Sequence, residues 1–117
     1  MTSGTATTVV VSETVSSQID GRVDVASVLR AFDGLRRRLA KGYVGVEGIS
    51  IGYDRLEISR DRFADLDEAS SVEVTATVVG SRRRAHEVEY AARLTSGHAG
   101  LPLLLARGWT QTPAAAG

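Results

Sequence analysis

Residues 21–36 read GRVDVASVLRAFDGLR, and this stretch decides the predicted fold. At about 100° per residue, its apolar side chains share one arc of a helix, while small and polar side chains lie opposite. The arc holds Val25, Val28, Leu29, Phe32, Leu35 and Leu39. We therefore predict one amphipathic helix over residues 23–41, with one face in the core and Asp33 at the border of the apolar arc.

Segments rich in β-branched residues with alternating apolar positions flank this helix and predict strands. The predicted strands are residues 7–15, 44–58, 71–79, 85–94 and 101–110, and residues 16–22 and 63–71 are predicted loops. A change of phase at Asp54 and Arg55 predicts a bulge, and GSRRR at residues 80–84 predicts a hairpin. One helix among about five antiparallel strands indicates the α+β class.

The length and composition predict one globular domain. The chain has 117 residues, of which 43% are apolar and 24% charged, as in ordinary globular domains. We expect the domain to span residues 7–111, with small polar tails at residues 1–6 and 112–117.

Charge and residue usage exclude several classes of function. The 14 basic and 14 acidic side chains cancel, which argues against a general affinity for nucleic acid or for a membrane surface. Because cysteine is absent, disulfides, thiolate metal sites and cysteine nucleophiles are excluded, and only two histidines remain for any metal site. We expect no cofactor and no metal. The N-terminal residues resemble no leader and the apolar runs are too short to cross a bilayer, so a cytoplasmic protein is expected.

The helix segment also carries a family resemblance. It resembles the helix signature of hot-dog fold thioesterases of the 4-hydroxybenzoyl-CoA type, in which a glycine turn leads to a helix with Leu-Arg, an acid and an Arg. The matching positions are Gly21, Arg22, Val23, Asp24, Leu29, Arg30, Asp33 and Arg36. The strands over residues 72–94 and 103–113 are similar to the terminal strands of that family, and the resemblance covers about residues 7–111.

The resemblance implies a fold, an activity and an assembly. The fold would be one long central helix wrapped by an antiparallel sheet of about five strands. The activity would be hydrolysis of an acyl-CoA or acyl carrier protein thioester. The assembly would be a homodimer or homotetramer whose active site lies between subunits, near the helix start of one subunit and the strands of the other.

The resemblance also suggests catalytic residues, with two alternatives open. One branch of the family places its catalytic Asp three residues before the turn glycine, where this chain has Gln18, and the nearest acid is Asp20. Another branch uses a carboxylate on the helix, to which Asp33 is similar. Thioester hydrolysis needs a base or nucleophile, and Asp33 or Asp20 would supply it. Gln18 would hydrogen-bond the thioester carbonyl or a water molecule.

Substrate-binding groups are expected at the helix start and in two arginine triplets. Backbone N–H groups near Arg22, Val23 and Asp24 would polarise the thioester oxygen, and Gly21, Arg22 and Val23 are the substrate-binding residues expected at the turn. The residues Arg82, Arg83 and Arg84, together with the triplet at 36–38, would bind the phosphates of CoA or an acidic carrier protein.

Each candidate residue has a structural alternative. Asp33 would form an ion pair with Arg37 one turn later, Asp20 would cap the helix or bind its own backbone, and Gln18 would be a polar loop residue. His86 would be a satisfied side chain on a strand. The alternative function is a hot-dog protein without catalysis that binds an acyl ligand or a partner protein, and a third is an unrelated α+β binding domain.

Overall fold

A computed structural model describes residues 13–44, 49–82, 85–95 and 100–111, with the backbone alone for residues 40–44, 49–51, 81 and 82. Its elements are β1 (Thr14–Asp20), α1 (Val25–Val44), β2 (Ile49–Ile58), α2 (Arg60–Ala64), β3 (Ser71–Arg82), β4 (Ala85–Leu94) and β5 (Pro102–Gln111). The tails predicted at residues 1–6 and 112–117 lie outside the described residues, so the bounds of the domain stay a prediction.

The five described strands form one antiparallel sheet in the order β1-β3-β4-β5-β2. The strands β3, β4 and β5 therefore lie in the centre, with β1 and β2 at the two edges of the described sheet. The helix α1 packs on one face of this sheet. This arrangement confirms the predicted α+β class and the predicted antiparallel sheet.

The core forms where the apolar arc of α1 meets alternating side chains of the central strands. Val28, Phe32, Leu35 and Leu39 are buried, as the helical period predicts. The facing positions on the strands are also buried and recur every second residue: Val72, Val74, Ala76, Val78, Val88, Tyr90 and Ala92. Burying each of the larger side chains stabilises the fold by about 1.5–3 kcal/mol.

The helix covers only part of the sheet. It packs mainly on β1 and β3, and its 20 residues extend about 30 Å, whereas the described part of the molecule is 54 Å long. Tyr53, Leu56 and Ile58 of the edge strand β2 consequently remain exposed. The expected long helix wrapped by the sheet is thus correct only in part, because the helix is short relative to the sheet.

The first strand differs from its prediction. Residues 16–20 were expected to be loop, but β1 continues through them to Asp20, and the predicted residues 7–12 lie outside the described part. The reason is tertiary, since seven consecutive residues of β1 pair with β3. Pairing with a neighbouring strand outweighs the weak intrinsic preference of a Ser-, Gln- and Asp-containing segment.

Three other boundaries also depend on context. The helix α1 ends at Val44 rather than near residue 41, and the short α2 occupies the beginning of the predicted loop at residues 63–71. The predicted bulge in β2 is confirmed, since its register with β5 shifts between Tyr53 and Arg55. The predicted pairing of β3 with β4 is confirmed too, although residues 83–84 at its tip lie outside the described residues.

Candidate active site

The start of α1 is closed by a reciprocal cap. Gly21 makes the turn with φ of +89°, and Asp24 then precedes the first helical residue. The Ser27 N–H donates to Asp24 Oδ1 at 2.7 Å, and the Asp24 N–H donates to Ser27 Oγ at 3.0 Å. These hydrogen bonds lower the pKa of Asp24, because they favour its charged form. The arrangement is a capping box with serine in the place of the usual glutamate.

This cap determines which N–H groups a ligand can reach. The N–H of Asp24 is used within the cap, so it does not point outward. The next two N–H groups, of Val25 and Ala26, have no acceptor within the described ranges. The N–H donors that a ligand can reach therefore lie one or two residues after Asp24, beyond the turn residues that the sequence suggested. Arg22 is exposed beside this turn.

A shallow depression adjoins the helix start. It measures about 440 Å³ and lies between the turn and the end of α2. Its lining residues are Arg22, Val23, Asp24, Val25, Phe63, Ala64 and Leu66. Its floor is apolar and Arg22 stands at its edge, so an anionic group with an apolar extension would fit its chemistry.

Gln18 and Asp20 belong to one hydrogen-bonded network. Ser71 Oγ donates to Asp20 Oδ1 at 2.7 Å and accepts from Gln18 Nε2 at 2.5 Å. Gln18 Nε2 also contacts Thr95 Oγ1 at 3.1 Å. Because Ile19 between them packs on the core, alternation along β1 places Gln18 and Asp20 on the face of the sheet that α1 does not cover.

Asp33 is held by two arginines of its own helix. Arg36 donates to Asp33 Oδ1 from Nε at 3.1 Å and from Nη2 at 2.9 Å. Arg37 Nη2 lies 3.0 Å from the other oxygen, Oδ2, so the ion pair foreseen with Arg37 is present. The exposed fractions of the side chains are 6% for Arg36, 40% for Asp33 and 56% for Arg37. One oxygen thus faces a buried cation and the other an exposed cation.

Aromatic rings lie beside this pair. Tyr90 packs on Phe32 with ring centroids 5.0 Å apart, and Tyr53 meets Tyr90 edge to face at 5.5 Å. Burial raises the pKa of the Tyr53 hydroxyl, the Asp33 carboxylate raises it further, and Arg36 lowers it. The pKa of Tyr90 is also raised, mainly by burial. The carboxylate, the guanidinium and both phenols therefore share one local electrostatic environment.

His86 lies on the same face of the sheet and is buried. It stands opposite Thr110 in the register of β4 and β5, and Thr110 Oγ1 lies 3.4 Å from Arg36 Nη1. Burial lowers the pKa of His86, because the charged imidazolium loses its hydration. The sequence had suggested a half-buried strand residue, and the structure buries it fully.

Within one chain the candidate residues fall into separate places. Asp33 follows Val25 by eight residues, which is about 12 Å along the helix axis. Arg82 ends β3, about 36 Å along that strand from Ser71 and the Gln18 network. The side chain of Arg82 is not among the described ones, and Arg83 and Arg84 lie outside the described residues. The structure brings Gln18 and Asp20 together, but it does not bring them to Asp33 or to Arg82.

Several residues of these clusters did not stand out in the sequence. Ser71, Thr95 and Thr110 lie in strands or at their ends, where no motif distinguishes them. Arg36 had a usable signal, since it follows the buried Phe32 by one turn and thus lies near the apolar arc. An arginine at such a position predicts a buried ion pair.

Within the described ranges, no group of three or more acidic or histidine side chains is arranged to hold a metal ion. No described helix is both long enough and apolar enough to span a membrane.

A five-stranded antiparallel sheet with a helix packed on one face fits the hot-dog fold, and solved structures agree with this assignment. An acyl-CoA hydrolase from Staphylococcus aureus, in complex with butyryl coenzyme A and coenzyme A, superposes with a TM-score of 0.69 at 10% identity over 85% of this chain. β-Alanyl-CoA:ammonia lyase from Clostridium propionicum superposes with a TM-score of 0.71 at 12% identity over 86% of this chain and 85% of its own. A variant of the Staphylococcus aureus hydrolase gives a TM-score of 0.71 at 9% identity over 86% of this chain.

These likenesses show the hot-dog fold. The chain spans less than two thirds of the length of the hydrolase chains, 62% and 65%, whereas it spans most of the lyase. No family model and no curated protein sequence matches the chain. The 4-hydroxybenzoyl-CoA type within the hot-dog superfamily is not confirmed.

Proposed function

We propose that this protein is an acyl thioesterase that hydrolyses an acyl-CoA or acyl carrier protein thioester. Two kinds of support meet here. The fold is similar to that of an acyl-CoA hydrolase and of a lyase whose name includes a CoA thioester. The helix segment resembles the thioesterase signature, with its acid at Asp33. We propose a cytoplasmic setting for this activity.

The observation that carries the proposal is the orientation of the Asp33 carboxylate. Oδ1 is held by the buried Arg36, and Oδ2 contacts only the exposed Arg37 among the described contacts. Exposed ion pairs contribute about 0–1 kcal/mol, so a substrate can displace Arg37 at little cost. Oδ2 would then take a proton from water while the water oxygen bonds to the acyl carbon and the thiolate leaves. Alternatively, Oδ2 would bond to that carbon itself and expel the thiolate, and water would then hydrolyse the resulting acyl anhydride.

The second catalytic element would come from a helix start. The N–H groups of Val25 and Ala26 would stabilise the oxyanion, since they are directed outward at the positive end of a 20-residue helix. They lie about 12 Å along the axis from Asp33 in the same chain, so the two elements would meet across an interface between two copies.

An interface between two copies has independent support. Tyr53, Leu56 and Ile58 are exposed on the edge strand β2, and an apolar edge strand favours pairing with another chain. A twofold axis at this edge would bury the same residues on both copies. We therefore propose a homodimer, or a homotetramer built from it, with Asp33 and Tyr53 near the interface.

The remaining predicted residues have supporting roles in this proposal. Gly21 and Val23 would shape the turn under the thioester, and Arg22 would bind a phosphate or an acidic carrier surface at the edge of the depression. Arg82, Arg83 and Arg84 would bind the distal phosphates of CoA. Asp20 is the second candidate carboxylate, with Gln18 beside it to bind water or the carbonyl.

One observation favours the alternative function, a hot-dog protein that binds an acyl ligand or partner without hydrolysis. Both oxygens of Asp33 contact arginines, Asp20 accepts a hydrogen bond from Ser71, and Asp24 is used as a cap. Each of these carboxylates therefore has a structural role that explains its presence.

The release of free thiol from a panel of acyl-CoAs separates the two functions. We expect the wild type to hydrolyse at least one member and Asp33→Asn to lower kcat/KM at least about a hundredfold, as for loss of a general base. Asp20→Asn tests the second carboxylate, and Asp65→Asn is the matched control at an exposed acid after α2. If no acyl-CoA and no acyl carrier protein thioester is hydrolysed, binding without catalysis replaces the proposal.

A further inference from the structure

We propose that Arg36 and Thr110 are positioning residues that fix the Asp33 carboxylate, an inference that rests on the proposed thioesterase function. Arg36 is charged, yet it is buried, because it lies on the helix face that packs against the core. A buried guanidinium loses its hydration and persists only where its N–H groups find acceptors. Its placement beside a largely apolar core therefore calls for an explanation.

Two hydrogen bonds of Arg36 converge on a single oxygen. Both Nε, at 3.1 Å, and Nη2, at 2.9 Å, donate to Asp33 Oδ1. Two donors in the plane of one guanidinium restrict the rotation of the carboxylate about its last side-chain bond. The direction of Oδ2 is therefore fixed as well, although its own contact is only with the exposed Arg37.

Thr110 connects this pair to the sheet. Its Oγ1 lies 3.4 Å from Arg36 Nη1, so all three guanidinium nitrogens have contacts. Thr110 is buried on β5, a central strand that pairs with both β4 and β2. Through Arg36, a residue of the sheet therefore helps to orient the carboxylate on the helix. Residues that contact a catalytic side chain commonly orient it in this way.

This arrangement assigns different tasks to the two carboxylate oxygens. Oδ1 is the anchored oxygen, and Oδ2 is the one that accepts the proton of water or bonds to the acyl carbon. The rate of such a step depends steeply on placement, because a displacement of about 1 Å can cost a hundredfold. Loosening Arg36 should therefore lower kcat and leave substrate binding unchanged.

Substitutions at Thr110 test the inference most cleanly, since they leave the charged pair in place. Thr110→Val keeps the shape of the side chain and removes the hydroxyl, whereas Thr110→Ser keeps the hydroxyl and is the matched control. With an acyl-CoA that the wild type hydrolyses, we expect Thr110→Val to lower kcat about tenfold with KM unchanged, and Thr110→Ser to retain most of kcat. Arg36→Lys, which keeps the charge but loses the fork, should lower kcat further.

A readout independent of catalysis accompanies the kinetics. In ¹⁵N-arginine-labelled protein, the Nε–H of Arg36 should exchange slowly with water, because it is buried and hydrogen-bonded to Oδ1. Thr110→Val should speed this exchange and Thr110→Ser should not. Equal unfolding midpoints for the two variants would confirm that folding does not explain the difference.

The outcomes distinguish the two proposals. If Asp33→Asn loses activity while Thr110→Val and Arg36→Lys both retain the wild-type kcat, the positioning role is wrong and the thioesterase proposal stands. If Asp33→Asn hydrolyses as fast as the wild type, carboxylate catalysis at Asp33 is wrong, and the positioning role is overturned with it.

Discussion

Asp33 and Arg36 lie one helical turn apart, and two nitrogens of the guanidinium donate to the same carboxylate oxygen, with Nε at 3.1 Å and Nη2 at 2.9 Å from Oδ1. One partner is buried and the other is partly exposed. The pair therefore neutralises a cation that the core buries, and in our proposal its second oxygen acts on the substrate.

Removing the carboxylate should destabilise the fold. Asp33→Ala leaves Arg36 buried without its charged acceptor, and we expect the free energy of unfolding to fall by about 1–3 kcal/mol. Arg37→Gln is the matched control, because it removes only the exposed ion pair and should cost less than about 1 kcal/mol. Urea unfolding of both variants measures the difference. Equal losses would show that Arg36 does not depend on Asp33.

Replacement of two glycines by alanine should have opposite effects on the stability of the fold. A Cβ at Gly108 would lie 2.6 Å from the Gly52 carbonyl oxygen and 3.1 Å from Tyr53 Cδ1, so Gly108→Ala should cost about 1–3 kcal/mol of stability. A Cβ at Gly34 meets nothing within 4 Å, and Gly34→Ala in α1 should stabilise by about 0.5–1 kcal/mol. Thermal melting of the two variants measures both effects. A stable Gly108→Ala protein would contradict the close approach of β2 to β5.

The stability of the fold should fall in mild acid because of His86. Burial lowers its pKa from the ordinary value of 6.5, so below pH 6.5 the unfolded chain binds a proton that the native protein does not. The free energy of unfolding should therefore decrease as the pH falls from 6.5 to the lowered pKa. His86→Asn should flatten this part of the curve. Urea unfolding between pH 7.5 and 5 tests it, and an unchanged slope in the variant would contradict the assignment.

The cap of α1 gives a second, separate acid effect. Asp24→Ala should lower the melting temperature, because the Ser27 N–H loses its acceptor. The pKa of Asp24 is lowered from 3.8, so the stability that its charged form provides is present above pH 3.8 and is lost as the pH falls through the lowered value. Asp65→Ala, at an exposed acid with no side-chain hydrogen bond among the described contacts, is the control. Equal melting curves for the two variants would contradict the cap.

Sequence patterns predicted the helix and the central strands because both depend on local periodicity. The apolar arc from Val28 to Leu39 and the alternating apolar positions of β3 and β4 form most of the buried core. The strand β1 was missed after residue 15, because its sequence SSQID has no strand preference and it is ordered by pairing with β3.

The candidate site was harder to predict, since its contacts join distant parts of the chain. Asp33 and its partner Arg37 are neighbours on one helix, so their ion pair followed from spacing alone. Thr110 meets Arg36 only through the packing of α1 on the sheet, and Ser71 meets Gln18 only through the register of β1 with β3. The periodicity of the sequence does not predict contacts between residues on different elements.

Mixing of two inactive variants tests the central claim, a site that combines Asp33 of one copy with the helix start of another. Asp33→Asn removes the carboxylate, and Val25→Pro removes one outward N–H at the first helical position, where proline fits, with Val25→Ala as its control. Each variant alone should show little thiol release from an acyl-CoA. After the two are unfolded and refolded together, about a quarter of the wild-type activity should return, because half of the dimers are mixed and each has one intact site. A mixture that stays as inactive as its components would contradict a shared site.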